Sequence, residues 1–441
     1  MADLKQLARR IFHETLAAVN IPEAMQRKLP CDGTVLHCED ATIDLRAFRQ
    51  IRVVAIGKAA HAMVEGLRPL LPPEIPFDGI VCAPTPPREN TRGFRYFVGG
   101  HPIPNKQSLE AATAILELLK DCDQQTLVFF LLSGGGSALV ELPIDSRMTL
   151  QDVQQLYQAL VTCGAPITDI NTIRKHVSAV KGGRLAVAAG SATKITLAVS
   201  DVPVGQESAI ASGPTLPDAS TIADVHRVIS EYRLHEKLPA RLREWIEAGK
   251  VPETPKENHP AFASANFLLL LGLDDLFHPA HHASEAKGFL TCCDNATDDW
   301  PVDKAANYLL AQLVALRVAN PGHRVALIAD GEVSSPVTGN GIGGRNSAFV
   351  LACVEKIAGR CIAVLSAGTD GIDGNSPAAG AVADGETLAR ARSLGLDPRD
   401  AFHRSDAHTF FSNLNDTVTT GPTGNNLRDL RILLAEPDSG N

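Results

Sequence analysis

No cysteine pair in the 441-residue chain has metal or redox spacing: the nine cysteines include no Cys-x-x-Cys, and Cys292 and Cys293 are adjacent. A zinc ribbon or thioredoxin-like motif is therefore not expected. An odd count without a framework reads as free thiols in a reducing compartment. A basic excess is also lacking, since 41 Lys and Arg stand against 50 Asp and Glu, for a net charge of −9. Nonspecific nucleic-acid binding needs basic faces and is not expected. An anionic small substrate stays open, because local cations decide that. Apolar runs such as "FLLLLGL" fall far short of a membrane span. The opening "MADLKQLARRIFHETLAAVN" is charged and amphipathic, without the apolar centre of a signal peptide. A cytoplasmic protein with no membrane segment is the expectation. The phosphate loop G-x-x-x-x-G-K-[ST] is missing too, so a kinase of that class is excluded.

What is present is 44% hydrophobic and 21% charged, the composition of a globular chain with room for two or three domains. β-rich apolar runs alternate with helical patterns. "IRVVAIG" (51–57), "GIVCAP" (79–84), "TLVFFLLS" (126–133) and "KITLAVS" (194–200) read as strands, with "SLEAATAILELLKDC" and "LQDVQQLYQALVTCG" as helices between them. This alternation predicts an α/β fold, a mainly parallel sheet with helices on both faces. Periodicity lapses in the Pro-, Lys- and Glu-rich stretch 248–264, which reads as a linker between domains 1–250 and 262–441. Strands "RVALIAD" and "CIAVLSAGTDG" then resume the pattern.

Ligands in open α/β sheets bind at the carboxyl ends of strands, and five strand ends here are polar or glycine-rich. They carry Gly57 and Lys58; Ser133, Gly134, Gly135, Gly136 and Ser137; Asp201; Asp330 and Glu332; and Thr369, Asp370 and Asp373. Any one alone reads as a turn. Three glycines closing a buried strand suit a backbone that approaches an anion at a helix start. Segment 171–186, "NTIRKHVSAVKGGRLA", sets Arg174, Lys175, His176, Lys181 and Arg184 around Gly182 and Gly183. Such cations beside glycine suit phosphate or carboxylate; a solvated helix face is an equal reading for Lys175 and a weaker one for Lys181. In "GNGIGGRN", Gly339, Gly341 and Gly344 match G-x-G-x-x-G. The strand lies well upstream, so a dinucleotide fingerprint is not supported; a phosphate or substrate loop fits better.

Together "GKAA", "GGHPIPN", "LLSGGGSAL", "NTIRKHVSAVKGGRLA", "IASGPT", "GGRN", "GTDGIDG" and "TGPTGNNLRDL" resemble the glycerate 2-kinase family, in order and over nearly the whole chain. The resemblance implies a Rossmann-like, three-layer N-terminal domain followed by a different α/β domain of the MOFRL type. It implies transfer of the γ-phosphoryl of ATP to the 2-hydroxyl of D-glycerate, with Mg²⁺, in a cleft between the domains. Lys58 and Arg345 would be catalytic. Ser133 to Ser137 with Lys181, Gly182 and Gly183 would hold phosphate, and Asp201, Glu332, Asp370 and Asp373 would offer metal ligands. A small-molecule substrate is implied; a homo-oligomer is left open. Some members are labelled hydroxypyruvate reductases, so an NAD(P)H-dependent reductase is the rival. A kinase for another 2-hydroxy acid and a catalytically silent binding protein are further alternatives. The chain departs from the family pattern at "DVPVGQE" (201–207), at Ser347 and Ala348, and at "NSP" (375–377), where acidic or polar residues are lost.

Overall fold

The run Thr126–Leu132 is buried at every position, as a strand covered on both faces must be. It is the centre of a six-stranded sheet in the computed structural model, which describes residues 3–38, 41–200, 202, 205–272, 274–421, 423–425 and 427–437. The strands are β1 (Gln50–Ile56), β2 (Phe77–Ala83), β3 (Phe94–Val98), β4 (Thr126–Leu132), β5 (Thr193–Val199) and β6 (Ala265–Leu271). All neighbours are parallel, in the order β3-β2-β1-β4-β5-β6. The order reverses between β1 and β4, the topological switch point of a doubly wound sheet. Register places Ile56 beside Leu132, so the loops after β1 and β4 leave the sheet side by side.

The crossover helix Lys106–Lys120 starts at a capping box of Asn105 and Ser108. Its Ala111, Ala112, Ile115 and Leu119 pack with Val54, Ile56, Ile80, Val128, Phe130 and Leu132, the alternate residues of one sheet face. Helix Ala60–Leu67 packs against β1, β2 and β4 as well. A small antiparallel sheet over 31–44 is appended.

This first unit is residues 21–272, and the second joins residues 1–20 to 273–441. The boundary expected at 250–262 thus lies about one strand later. The stretch 248–264 is a connection inside the first unit, because β6 follows it and pairs with β5. Loss of periodicity marks a long crossover as readily as a linker.

The second unit has a mixed sheet of β7 (Leu290–Cys293), β8 (Val325–Asp330), β9 (Ile362–Gly368), β10 (Gly380–Asp384), β11 (Thr417–Val418) and β12 (Asp429–Ala435). The order is β7-β8-β12-β9-β10-β11, antiparallel except for β7 with β8. Val325, Leu327, Ala329, Val364 and Leu433 face helices Val302–Ala319 and Arg345–Ile357. Ala326, Ile328, Leu365, Ile432 and Leu434 face helices Leu4–Ala18 and Asp274–Glu285. The N-terminal helix is therefore part of this unit, placed there by Ala8, Ile11 and Phe12. Among the described residues no helix is long and apolar enough to cross a membrane.

Candidate active site

In the first unit, the switch point joins the two glycine-bearing loops. Gly57 has φ +129°, and a Cβ there would lie 2.1 Å from Ser133 Oγ, so only glycine permits the approach. The amide of Lys58 donates to Gly134 O at 3.0 Å, and that of Ala59 donates to Ser133 Oγ at 3.0 Å. Lys58 Cγ and the His101 ring then border Gly135, which is left-handed at φ +81°. Among the described residues, no acceptor takes the amides of Gly134, Gly135, Gly136 or Ser137. Unspent backbone donors beside a lysine are what an anion site offers. Behind them, Ser137 Oγ lies 2.8 Å from Ser212 Oγ, which donates to Asn171 Oδ1 at 2.9 Å. His101 is held below its ordinary pKa, first by desolvation, then by the positive charges of Lys58 and Arg174.

The other expected phosphate ligands of this unit have different work. Lys181 is buried; its ammonium bonds Glu141 Oε2 at 2.8 Å and the Val140 carbonyl at 2.9 Å. Tyr157 donates to the same Glu141 oxygen at 2.6 Å. The amides of Gly182 and Gly183 are spent on the carbonyls of Ser212 and Gly213. The phosphate reading of Lys181, Gly182 and Gly183 is thereby replaced by a structural one: a sealed ion pair and a turn. Lys175, for which the sequence allows an anion ligand and a solvated face equally, is buried against Asp218 at 3.1 Å. Asp201 lies outside the described residues.

In the second unit, β8 and β9 flank β12, and their carboxyl ends meet its first two residues. Register pairs Asp330 with Leu430 and Gly368 with Asp429. Arg345 opens the helix Arg345–Ile357 over these ends. Its guanidinium forks onto Glu332, with Nη1–Oε2 2.7 Å and Nη2–Oε1 2.6 Å, while Nε donates to Asp429 at 2.5 Å. Burial opposes its charge, but Asp429 and Glu332 outweigh that and raise its pKa. Asp330 is buried, and among the described residues neither of its carboxylate oxygens has a partner. Burial, opposed by Arg428 and reinforced by Asp298, pushes its pKa up to about 6.

Asp373 is not placed as a metal ligand. It is buried, and its oxygens accept from the amides of Asn346 and Ser347 at 2.9 Å each and from the Ser347 hydroxyl at 2.6 Å. It caps the helix that carries Arg345. The "GNGIGG" loop packs as structure: Gly341 N donates to Arg404 O, and Gly343 N donates to Asn375 Oδ1. Gly339, Gly341 and Gly344 leave no room for a Cβ against Arg404, Asp406 and Asp373.

Carboxylates also stand near Arg345, and among the described residues the oxygens of Glu332, Asp370 and Asp429 do not close into a three-ligand cluster. A Cβ on Gly368 would lie 3.1 Å from Asp370 Oδ1 and 3.4 Å from Asp429 Oδ1, so glycine keeps a cradle open beneath two carboxylates. Glu332 is tied to the same group through Arg345. Oxygen donors of this charge fit Mg²⁺. Asp429 and His101 were not singled out from the sequence, although both stand in quoted motifs, "TGPTGNNLRDL" and "GGHPIPN". Asp429 opens a strand instead of closing one, which a search of carboxyl ends passes over.

Residues 7–247 match the family model of a domain of unknown function, DUF4147, and residues 325–429 match the MOFRL family. The chain is 31% identical over 432 residues to the D-glycerate 2-kinase of Thermotoga maritima, covering 97% of this chain and 98% of the relative. It is 35% identical over 401 residues to a putative hydroxypyruvate reductase of Agrobacterium vitis, covering 87% and 98%. It also resembles the crystal structure of a glycerate kinase from Thermotoga maritima, with a TM-score of 0.83 and 32% identity, covering 98% and 99%.

Proposed function

Since the chain belongs to the glycerate 2-kinase family, built from DUF4147 and MOFRL regions, we propose that it transfers the γ-phosphoryl of ATP to the 2-hydroxyl of D-glycerate. The product is 2-phosphoglycerate. The observation that carries this reading is the switch point of the first unit, where Lys58 borders a glycine loop with unspent amides. Amides and an ammonium bind phosphoryl oxygens without chemistry of their own, and phosphoryl transfer draws most of its rate from positioning and electrostatics. Lys58 offsets the developing charge, and the loop from Ser133 to Ser137 cradles phosphate. Asp370 and Asp429 beside Gly368 would hold Mg²⁺ together with its retained waters, with Glu332 nearby on Arg345; the cation would supply charge neutralisation on phosphoryl oxygens. Arg345 is bound to two of these three carboxylates and orients them, a positioning role beside its expected catalytic one. Nine cysteines outside any disulfide are in keeping with a reducing, cytoplasmic setting.

The reductase reading has one point in its favour, because the strand order of the first unit is one that dinucleotide-binding sheets use. The loop after β1 speaks against it. "GKAAH" has Ala59 where the fingerprint needs its second glycine for pyrophosphate approach, and the G-x-G-x-x-G elsewhere follows no strand directly. The test is to incubate the protein with D-glycerate and Mg·ATP and identify the product by phosphorus NMR. In parallel, hydroxypyruvate is offered with NADH or NADPH. 2-Phosphoglycerate without oxidation of the nicotinamide is expected; catalytic oxidation without a phosphorylated product would overturn the reading.

A further inference from the structure

Five cationic or ionisable basic residues stand between positions 174 and 184, and four are accounted for. Lys175 bonds Asp218, and Lys181 bonds Glu141. Arg184 donates to the carbonyls of Lys175 and Glu253, and His176 meets the Thr172 carbonyl through Nδ1. Arg174 is different. It is only 7% exposed, its Nε is sealed from solvent, and among the described residues no hydrogen bond or ion pair reaches its guanidinium. It stacks on Tyr157, 4.6 Å from guanidinium carbon to ring centroid. Glu141, beside Tyr157, is already taken by Lys181, the Tyr157 hydroxyl and the Leu142 amide.

A buried cation without counter-ion or acceptor is costly to keep, and folded proteins seldom keep one for stability. Where such a group persists, a ligand that completes it is the physical explanation. The position of Arg174 agrees. The hydroxyl of Tyr157, on which it stacks, also lies 2.6 Å from the Ser137 carbonyl oxygen. Asn171, one turn earlier on the same helix, accepts from Ser212, which meets Ser137. Arg174 thus stands in the corner that carries the glycine loop, where its planar fork can take two oxygens of one anion.

We propose that Arg174 is an oxyanion ligand of the first unit's strand-end site, binding a carboxylate or phosphoryl group of a substrate. The assignment rests on the kinase reading for which substrates those are. The two sources are the carboxylate of D-glycerate and a phosphate of ATP, and the test separates them. Arg174→Met and Arg174→Lys are compared with wild type by thermal melting alone and with D-glycerate, ATP or inorganic phosphate, and by steady-state kinetics. For Arg174→Met, an unaltered or higher ligand-free melting temperature is expected, because a buried unpaired charge is removed. The KM for the substrate whose oxyanion is held should rise roughly 10- to 100-fold, with loss of that substrate's thermal shift. Arg174→Lys should recover part of the affinity. A rise confined to D-glycerate assigns the carboxylate, and one confined to ATP assigns the phosphate. A lowered melting temperature with KM values and thermal shifts unchanged would overturn the proposal and make Arg174 structural. The thermal shifts need no turnover, so absence of 2-phosphoglycerate in the NMR assay would refute the kinase reading without touching this result.

Discussion

Replacing Lys181 by methionine separates a structural cation from a phosphate ligand. Lys181 is 1% exposed and Glu141 3% exposed, so the substitution strands a carboxylate inside the unit. Removing one member of a buried ion pair costs about 3–5 kcal/mol. Glu141 would keep the Tyr157 hydroxyl and the Leu142 amide, which argues for the lower end of that range. In a unit of this size each kcal/mol moves the melting temperature by roughly 2–4 °C, so a fall of about 6–12 °C is expected. The double variant Lys181→Met with Glu141→Gln should regain at least half of the loss, because no charge then remains buried. The measurements are thermal melts of the two singles and the double, with an ATP titration on each folded variant. A melting temperature within about 2 °C of wild type, well short of the loss worked out above, together with a clearly weakened ATP affinity would refute the reasoning. Lys181 would then be a phosphate ligand after all.

Lys58→Ala should lower the turnover number on the order of 100- to 1,000-fold with little change in melting temperature, and turnover within about threefold of wild type would remove Lys58 from the mechanism. Asp373→Ala should cost about 1–2 kcal/mol through loss of the helix cap and leave the magnesium requirement of the surviving activity unchanged; a raised requirement would restore Asp373 as a metal ligand. His101, its pKa lowered in the fold, should be neutral at pH 7. Its stability contribution is then lost as pH falls from the ordinary histidine value towards the lowered one, so His101→Gln should flatten the acid side of the stability profile. Inorganic phosphate should raise the His101 pKa in a proton NMR titration by offsetting the charges of Lys58 and Arg174; an unmoved titration would place the anion elsewhere.

Much of the scaffold was legible along the chain. The strands at 50–56, 77–83, 126–132 and 193–199 were marked by apolar runs closed by glycine, proline or serine, because a strand buried on both faces admits little else. Strand β6 was passed over, since a Pro-rich connection before it reads as a linker and only its pairing with β5 says otherwise. Membership of the N-terminal helix was not legible either, because its apolar stripe fits any apolar surface of matching size.

The site divides along the same line. That glycine, lysine and serine stand together at strand ends is written in the chain, because backbone conformation and strand termination are local properties. That the ends of β1 and β4 are neighbours comes from the fold, since strand order depends on crossovers that no local pattern encodes. Packing also sets which charges are spent. Arg174, Lys175 and Lys181 belong to one motif, yet Lys175 is matched by Asp218 and Lys181 by Glu141, while Arg174 stacks on an aromatic face and has no ion pair among the described residues. A charged side chain is neutralised by groups from distant elements, so its availability to a ligand is settled by packing and not by its neighbours in the chain.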